Sequence, residues 1–284
     1  MALISRLGCL VIGMTFWLFS PTPVLAQETS LSFGVMPQRT ITLNAQYWNP
    51  ILNYVSRQSG VSLQYKPNKN TAEHAVMIRE GAFDFAYSNY FFIPEYTGAN
   101  YQVVVRPAEA AIRGDIVVLA DSPIQSLTEL AGKEVGFPHR AAFVGYLVTY
   151  DKLLHEGIQV QVVFGGNQEG IMGQLKAGRV VAAGVNSQVM RDFAERERLA
   201  YRVLWRSQDY FNIPIIVHPR IAQEKVEAVR AALLQMTTDP EGLRILKESA
   251  DLIKLEPPYG FVASGAQDYE NTRIFFQNAL VRSE

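Results

Sequence analysis

The side chains best suited to acid–base or metal chemistry in this sequence are four histidines, His74, His139, His155 and His218. No two of them are three or four residues apart, and neither an H-E-x-x-H nor an EF-hand pattern occurs. The nucleophile patterns G-x-S-x-G and S-x-x-K and the Walker phosphate loop are also missing. We therefore predict that the protein is not an enzyme and holds no metal or cofactor, and that His74, His155 and His218 have structural or surface roles.

The best-supported chemistry is anion binding at residues 137–146, where the pattern predicts a strand, a loop and a helix start. A helix start exposes backbone N–H groups without partners and the positive end of the helix dipole. His139 and Arg140 lie beside it, and the small Ala142 lets a ligand approach the backbone. The alternative is an ordinary loop with a solvated arginine. Under the binding hypothesis, Arg140→Ala weakens the binding of an anionic ligand by about 1.5–3 kcal/mol.

A second candidate wall consists of Tyr87, Ser88 and Asn89, at the end of a predicted strand. Open α/β sheets bind ligands at the carboxyl ends of their strands. An aromatic cluster is equally typical of a core, so both interpretations stay open. Residues 165–170 join a strand to a helix without the G-x-G-x-x-G pattern of dinucleotide-binding proteins, which favours an ordinary turn.

The elements that must position these residues alternate between strand and helix. The predicted strands cover residues 31–35, 61–65, 83–87, 133–137, 159–164 and 180–185. The predicted helices cover residues 45–59, 142–155 and 168–177, with shorter ones from Thr71 and Ser126 and mostly helix after Ile221. Pro50 either starts or kinks the first helix. This order predicts an α/β fold with a parallel or mixed sheet and helices on both faces.

Two apolar strands, at residues 115–119 and 213–217, each follow a loop and predict crossings between two lobes. The stretch between them is long enough to form its own core. We predict one lobe from residues 27–114 and 213–284, a second lobe from residues 115–212, and a ligand cleft between them.

Residues 1–26 have the pattern of a cleaved signal peptide, with Arg6, an apolar run over Leu7–Phe19 and a cleavage site after Ala26. A membrane anchor, the alternative, would need a run of roughly 18 residues. The one cysteine, Cys9, lies in this segment, so the mature chain has no thiol for catalysis or metal binding. With 26 basic and 27 acidic side chains, the chain lacks the positive field that attracts nucleic acid or membranes.

Eight stretches, in order along the chain, match a known family: residues 33–35, 47–54, 81–87, 113–118, 121–124, 130–133, 143–147 and 239–242. In these stretches the chain resembles the phosphate/phosphite/phosphonate-binding proteins of ABC importers. The resemblance implies a type II periplasmic binding-protein fold, with two α/β lobes that close on a ligand by a hinge motion.

The resemblance also implies ligand contacts. The family's Ser/Thr-rich helix start corresponds here to Ala142, Phe143 and Val144. Its pocket histidine corresponds to Gln168 and its pocket aspartate to Asn186. A pocket tyrosine of the family corresponds to a position near Thr71. A hydroxyl-rich anion clamp has thereby become more apolar and formally uncharged. We therefore predict a ligand other than 2-aminoethylphosphonate, held mainly by backbone N–H groups at the start of the Ala142 helix, including that of Ala142 itself, with help from Arg140.

Together these observations predict a monomeric periplasmic solute-binding protein for a small oxyanion of the phosphate, phosphite or phosphonate type, or a related small acid. Its partners would be a membrane permease and an ATPase. The alternative is a stand-alone sensor that presents its ligand-bound form to a membrane receptor such as a histidine kinase. A periplasmic enzyme on the same fold is a third and weaker hypothesis.

Overall fold

The computed structural model of the protein describes residues 30–37 and 39–281. The predicted signal peptide and Cys9 lie outside the described residues. Within the described ranges, no helix is both long enough and apolar enough to cross a membrane.

The described residues form eleven strands and eight α-helices. The strands are β1 (Leu31–Val35), β2 (Leu63–Lys66), β3 (Phe85–Tyr87), β4 (Gln102–Pro107), β5 (Gly114–Leu119), β6 (Glu134–Phe137), β7 (Gln161–Phe164), β8 (Ala182–Asn186), β9 (Tyr201–Arg206), β10 (Ile215–Val217) and β11 (Phe261–Ala263). The helices are α1 (Ile41–Ser59), α2 (Thr71–Arg79), α3 (Thr149–His155), α4 (Gln168–Lys176), α5 (Ser187–Glu197), α6 (Gln223–Gln235), α7 (Pro240–Ile253) and α8 (Glu270–Asn278). The predicted α/β class is confirmed.

The strands form two mixed sheets. The first sheet has the order β11-β4-β10-β3-β1-β2, and the second has the order β7-β6-β8-β5-β9. In the first sheet β1 is parallel to β2 and β3, and in the second β6 is parallel to β7 and β8. Strands β5 and β10 run antiparallel to β8 and β3. Because parallel neighbours end at the same edge of a sheet, each sheet has one edge where strand ends and helix starts gather.

Helix α1 covers the first sheet and begins earlier than predicted. The Thr40 hydroxyl accepts a hydrogen bond from the N–H of Leu43 at 3.3 Å, which caps the helix start. Pro50 lies inside the helix, and Gly60 ends it in the left-handed conformation, with φ 70°. The buried face of α1 carries Trp48, which packs in the core of the first sheet.

The helix predicted over residues 142–155 consists of two parts. Residues 143–148 form a π-helical turn, and α3 continues from it. The carbonyl of Ala142 accepts hydrogen bonds from the N–H of Tyr146 at 2.8 Å and of Leu147 at 3.0 Å, which widens the turn. Such π-turns inside helices are frequent at functional sites.

Two segments, residues 108–113 and 207–214, connect the sheets. They pair with each other at one point, where the N–H of Ile112 donates to the carbonyl of Tyr210 at 2.7 Å and the reverse bond measures 2.9 Å. The two connections between the sheets therefore run side by side and are hydrogen-bonded to each other.

The C-terminal helix adds a contact that the sequence did not predict. We predicted residues 213–284 in one lobe with the first sheet, yet Phe275 and Phe276 of α8 pack against the core of the second sheet. The N–H groups of Leu280 and Val281 then donate to the carboxylate of Asp151 at 2.6 and 3.1 Å. The apolar face of α8 is therefore buried against the second sheet.

Candidate ligand-binding site

A cavity of about 670 Å³ is lined by residues from both sheets, a size usual for small-molecule sites. Its lining includes ten of the eleven residues that the sequence singled out: Thr71, Tyr87, Asn89, His139, Arg140, Ala142, Phe143, Val144, Gln168 and Asn186. Strand ends and helix starts that are far apart in the chain therefore meet at one place.

Ser88 is the exception, because it is fully buried behind the cavity. Its hydroxyl lies 2.9 Å from Nε2 of His74, and Nδ1 of His74 lies 3.2 Å from the side-chain nitrogen of Asn68. The same nitrogen of Asn68 donates to the carbonyl of Val35 at 2.8 Å. Burial lowers the pKa of His74 to about 3, so the imidazole is neutral. This network joins the ends of β1 and β3 and is structural.

The backbone of the π-helical turn supplies hydrogen-bond donors to the cavity. The N–H groups of Phe143, Val144 and Gly145 lie in the first turn, where no carbonyl of the same helix can reach them. Our expectation for Ala142 was wrong, because its N–H already donates to the carbonyl of His139 at 3.0 Å. The available backbone donors therefore begin at Phe143.

Two side-chain amides extend this set of donors. The Gln168 side-chain oxygen accepts the N–H of Asn186 at 3.2 Å. The Asn186 side-chain oxygen accepts the N–H groups of Gln188 and Val189 at 2.9 and 3.4 Å, capping α5. With both oxygens engaged, each amide offers its NH₂ group. We call Phe143, Val144, Gly145, Gln168 and Asn186 the donor wall.

The donor wall depends on a missing side chain at Gly145. A Cβ atom at this position would stand 2.6 Å from the amide nitrogen of Gln168 and 3.0 Å from Cγ of Pro138. Glycine therefore lets the Gln168 amide lie directly against the helix start, so that backbone and side-chain donors are adjacent.

His139 and Arg140 lie at the rim of the donor wall, and both side chains are exposed. The Arg140 guanidinium lies 5.3 Å from the ring centre of Phe164, in a cation–π arrangement. Desolvation lowers the pKa of His139, which favours the neutral imidazole. The fixed positive charge at this rim therefore comes from Arg140.

The opposite face of the cavity is aromatic and acidic. The Trp48 ring lies 5.2 Å from Tyr47, 5.1 Å from Tyr87 and 6.3 Å from Phe261, measured between ring centres. Glu109 lines the cavity on the same side. We call Tyr47, Trp48, Tyr87, Glu109 and Phe261 the aromatic wall. Burial is the main cause that raises the pKa of Tyr47, to about 12, so its hydroxyl keeps its proton.

A protein-family model matches residues 33–261, and its description is ABC transporter, phosphonate, periplasmic substrate-binding protein. The chain belongs to this family. A search among curated proteins finds no match.

Solved structures agree with this binding-protein family in fold. PhnD1 from Prochlorococcus marinus in complex with methylphosphonate is 16% identical, has a TM-score of 0.63, and the match covers 87% of this chain and 97% of that chain. XAC2383 from Xanthomonas citri bound to ATP is also 16% identical, with a TM-score of 0.71 and the same coverage. A binding protein component of an ABC phosphonate transporter from Pseudomonas aeruginosa is 17% identical, with a TM-score of 0.61 and 88% and 87% coverage.

The sequence analysis missed two charged residues that line this binding protein's cavity, Arg39 and Glu109. Glu109 follows the end of β4, as ligand-contacting residues often follow strands, and this position was its one sequence signal. Arg39 comes just before the cap of α1 and carries no motif. In the part of the chain that the structure describes, no three His, Cys, Asp or Glu side chains form a group able to hold a metal ion.

Proposed function

We propose that this protein captures a phosphonate or a related small oxyanion in the cavity and delivers it to an ABC importer. The observation that carries the proposal is the donor wall, which offers three backbone N–H groups and two side-chain NH₂ groups and has its amide oxygens engaged elsewhere. An oxyanion needs several donors and no facing acceptor, and hydrogen bonds to a charged group are the strong ones.

The donors are held in place before a ligand arrives. The oxygens of Gln168 and Asn186 are fixed by backbone N–H groups, so neither amide can rotate without losing a hydrogen bond. Such preorganisation reduces the entropy lost on binding. Arg140 adds positive charge at the rim, which favours the approach of an anion.

The relatives support the same class of ligand. PhnD1 was solved with methylphosphonate, and XAC2383 with ATP, whose phosphate groups are also oxyanions. We infer that the anionic group of the ligand is what this cavity shares with theirs, and that the rest of the ligand differs.

We further propose that residues 27–114 with most of 213–284, and residues 115–212, act as two lobes that close over the ligand in the periplasm. The paired segments 108–113 and 207–214 would be the hinge, since they join β4 to β5 and β9 to β10, which belong to different sheets. The closed monomer would then dock on a membrane permease that is powered by an ATPase.

Calorimetric titration of the purified protein with methylphosphonate, phosphite, phosphate and sulfate tests the proposal. We expect saturable binding of at least one phosphorus oxyanion, and loss of that binding in Gln168→Glu, which replaces a donor by a negative acceptor. Gln58→Glu, the same change on an exposed residue outside the lining, is the matched control and should bind like the unchanged protein. Absence of binding for all of these anions would overturn the proposal.

A further inference from the structure

Glu109 lies on the segment that follows β4, one of the two connections between the sheets. Asn212, on the other connection, donates its side-chain N–H to Oε2 of Glu109 at 2.5 Å. Asn212 is itself held on two sides: its side-chain oxygen accepts the N–H of Ile213 at 3.0 Å, and its carbonyl accepts the Tyr269 hydroxyl at 2.6 Å. The carboxylate is thus fixed at the lining of the cavity.

The hydrogen bond from Asn212 satisfies one oxygen of Glu109 and leaves Oε1 without a cationic partner. Among the described residues, no lysine or arginine nitrogen lies within ion-pair distance of this carboxylate. Burial is the main cause that raises the pKa of Glu109, while the hydrogen bond from Asn212 and then the positive charge of Arg39 lower it. A half-buried carboxylate without an ion pair is costly, and a cation in the cavity would offset that cost.

The rings around Glu109 favour a cation of a particular kind. Tyr47 and Tyr87 lie close enough for the Glu109 charge to raise the pKa of both hydroxyls. Their rings continue through Trp48 to Phe261, as the centre-to-centre distances above show. Aromatic faces next to a carboxylate stabilise organic ammonium groups better than small hydrated metal ions.

We propose that Glu109 and the rings of the aromatic wall form a second subsite, which binds a positively charged organic group on the same ligand. This inference rests on the proposed function, in which the anionic group of the ligand occupies the donor wall. The ligand is then a zwitterion, with its negative end on the second sheet and its positive end at the connection between the sheets.

This subsite differs from the one on which our sequence prediction about 2-aminoethylphosphonate depended. That prediction considered only Asn186, where the resemblance implied an aspartate. Glu109 supplies a carboxylate on the opposite wall, so the distance between the two charges of the ligand becomes the quantity that decides specificity.

The test compares matched pairs of ligands by calorimetry on the purified protein. Each ω-aminoalkylphosphonate, with chains of two to six carbons, is paired with the alkylphosphonate in which a methyl group replaces the ammonium group. We expect at least one amine to bind ten times more tightly than its pair. In Glu109→Gln this ratio should fall to about one, whereas Glu256→Gln, an equal change of charge on an exposed residue outside the lining, should keep it.

Using a ratio of affinities separates the cation subsite from general damage to the cavity. If every alkylphosphonate binds as tightly as its amine, or if the preference survives in Glu109→Gln, the subsite is refuted while the proposed function stands. If no phosphonate of either kind binds, the subsite is refuted, and the proposed function fails as well when methylphosphonate, phosphite, phosphate and sulfate do not bind either. Should Glu109→Gln not fold, Glu109→Asp serves instead, because its shorter side chain should reduce the ratio.

Discussion

The two walls of the cavity are built by different means. The donor wall lies on the side of the second sheet and consists of a helix start and two side-chain amides. The oxygens of both amides already accept hydrogen bonds from backbone N–H groups. The aromatic wall gathers residues from α1, β3, β11 and the connection after β4. The first offers donors and the second offers a carboxylate and rings. Under the proposed function, general affinity for anions would depend on a helix start and two fixed amides, whereas selectivity would depend on which side chains the second wall brings together.

We expect the largest loss of oxyanion binding from a change that puts a carboxylate into the donor wall, like the one in the aromatic wall. Gln168→Glu replaces an NH₂ donor by a carboxylate oxygen of nearly the same shape, so a hydrogen bond to the anion is lost and repulsion is added. We expect a loss of at least about 3 kcal/mol in the binding of methylphosphonate, above the usual value of one charged hydrogen bond. Calorimetry measures it, and an affinity within threefold of the unchanged protein would show that Gln168 does not contact the ligand.

Acid should weaken the first sheet through His74, which supports strand ends next to the aromatic wall. Its pKa is about 3 in the folded protein, against 6.5 for an unperturbed histidine, so between these values the unfolded chain binds the extra proton. The free energy of unfolding should therefore fall by about 1.4 kcal/mol per pH unit below about pH 6.5, or about 2 kcal/mol at pH 5.

Urea unfolding of the unchanged protein and of His74→Gln at pH 7.5 and pH 5 measures this contribution. The difference in stability between the two proteins should shrink by about 2 kcal/mol at the lower pH, because the variant has no imidazole to protonate. An equal loss in both proteins would assign the acid sensitivity to other groups.

Gly145→Ala tests whether the close approach of Gln168 matters for the donor wall. The added Cβ would stand 2.6 Å from the Gln168 amide nitrogen and displace it. We expect the oxyanion to bind about tenfold more weakly, which corresponds to about 1.4 kcal/mol. The stability of the folded protein should be roughly retained, because alanine favours helix. Gly173→Ala, in α4 with open space around the new Cβ, is the matched control and should leave affinity unchanged.

The smallest effect is expected at Arg140. From the sequence we predicted a loss of about 1.5–3 kcal/mol, but the side chain is exposed and lies over the Phe164 ring. Exposed charges are screened by water and salt, so we now expect Arg140→Ala to cost at most about 1 kcal/mol, and less at high ionic strength. Titration at low and high salt, with Arg179→Ala as control, measures this; a salt-independent loss would instead indicate direct contact with the anion.

Strand β9 could not be predicted from the sequence, because the strand with which it pairs is far away in the chain. Strand β9 has two arginines among four apolar or aromatic residues, and we did not predict it. Its Arg206 donates two hydrogen bonds of 2.8 Å to Asp115, a buried carboxylate on β5. A pairing over such a separation leaves no local pattern in the sequence.

The sequence by itself determined the α/β class, the family and most of the donor wall. Period and capping residues mark where strands end and helices start, and these are the places where unpaired backbone groups must lie. The tertiary structure alone decided that the N–H of Ala142 is used by His139, that α8 packs across the connection, and that Glu109 faces the cavity. These outcomes depend on contacts between distant segments, and such contacts form only when the apolar faces of the whole chain are buried together.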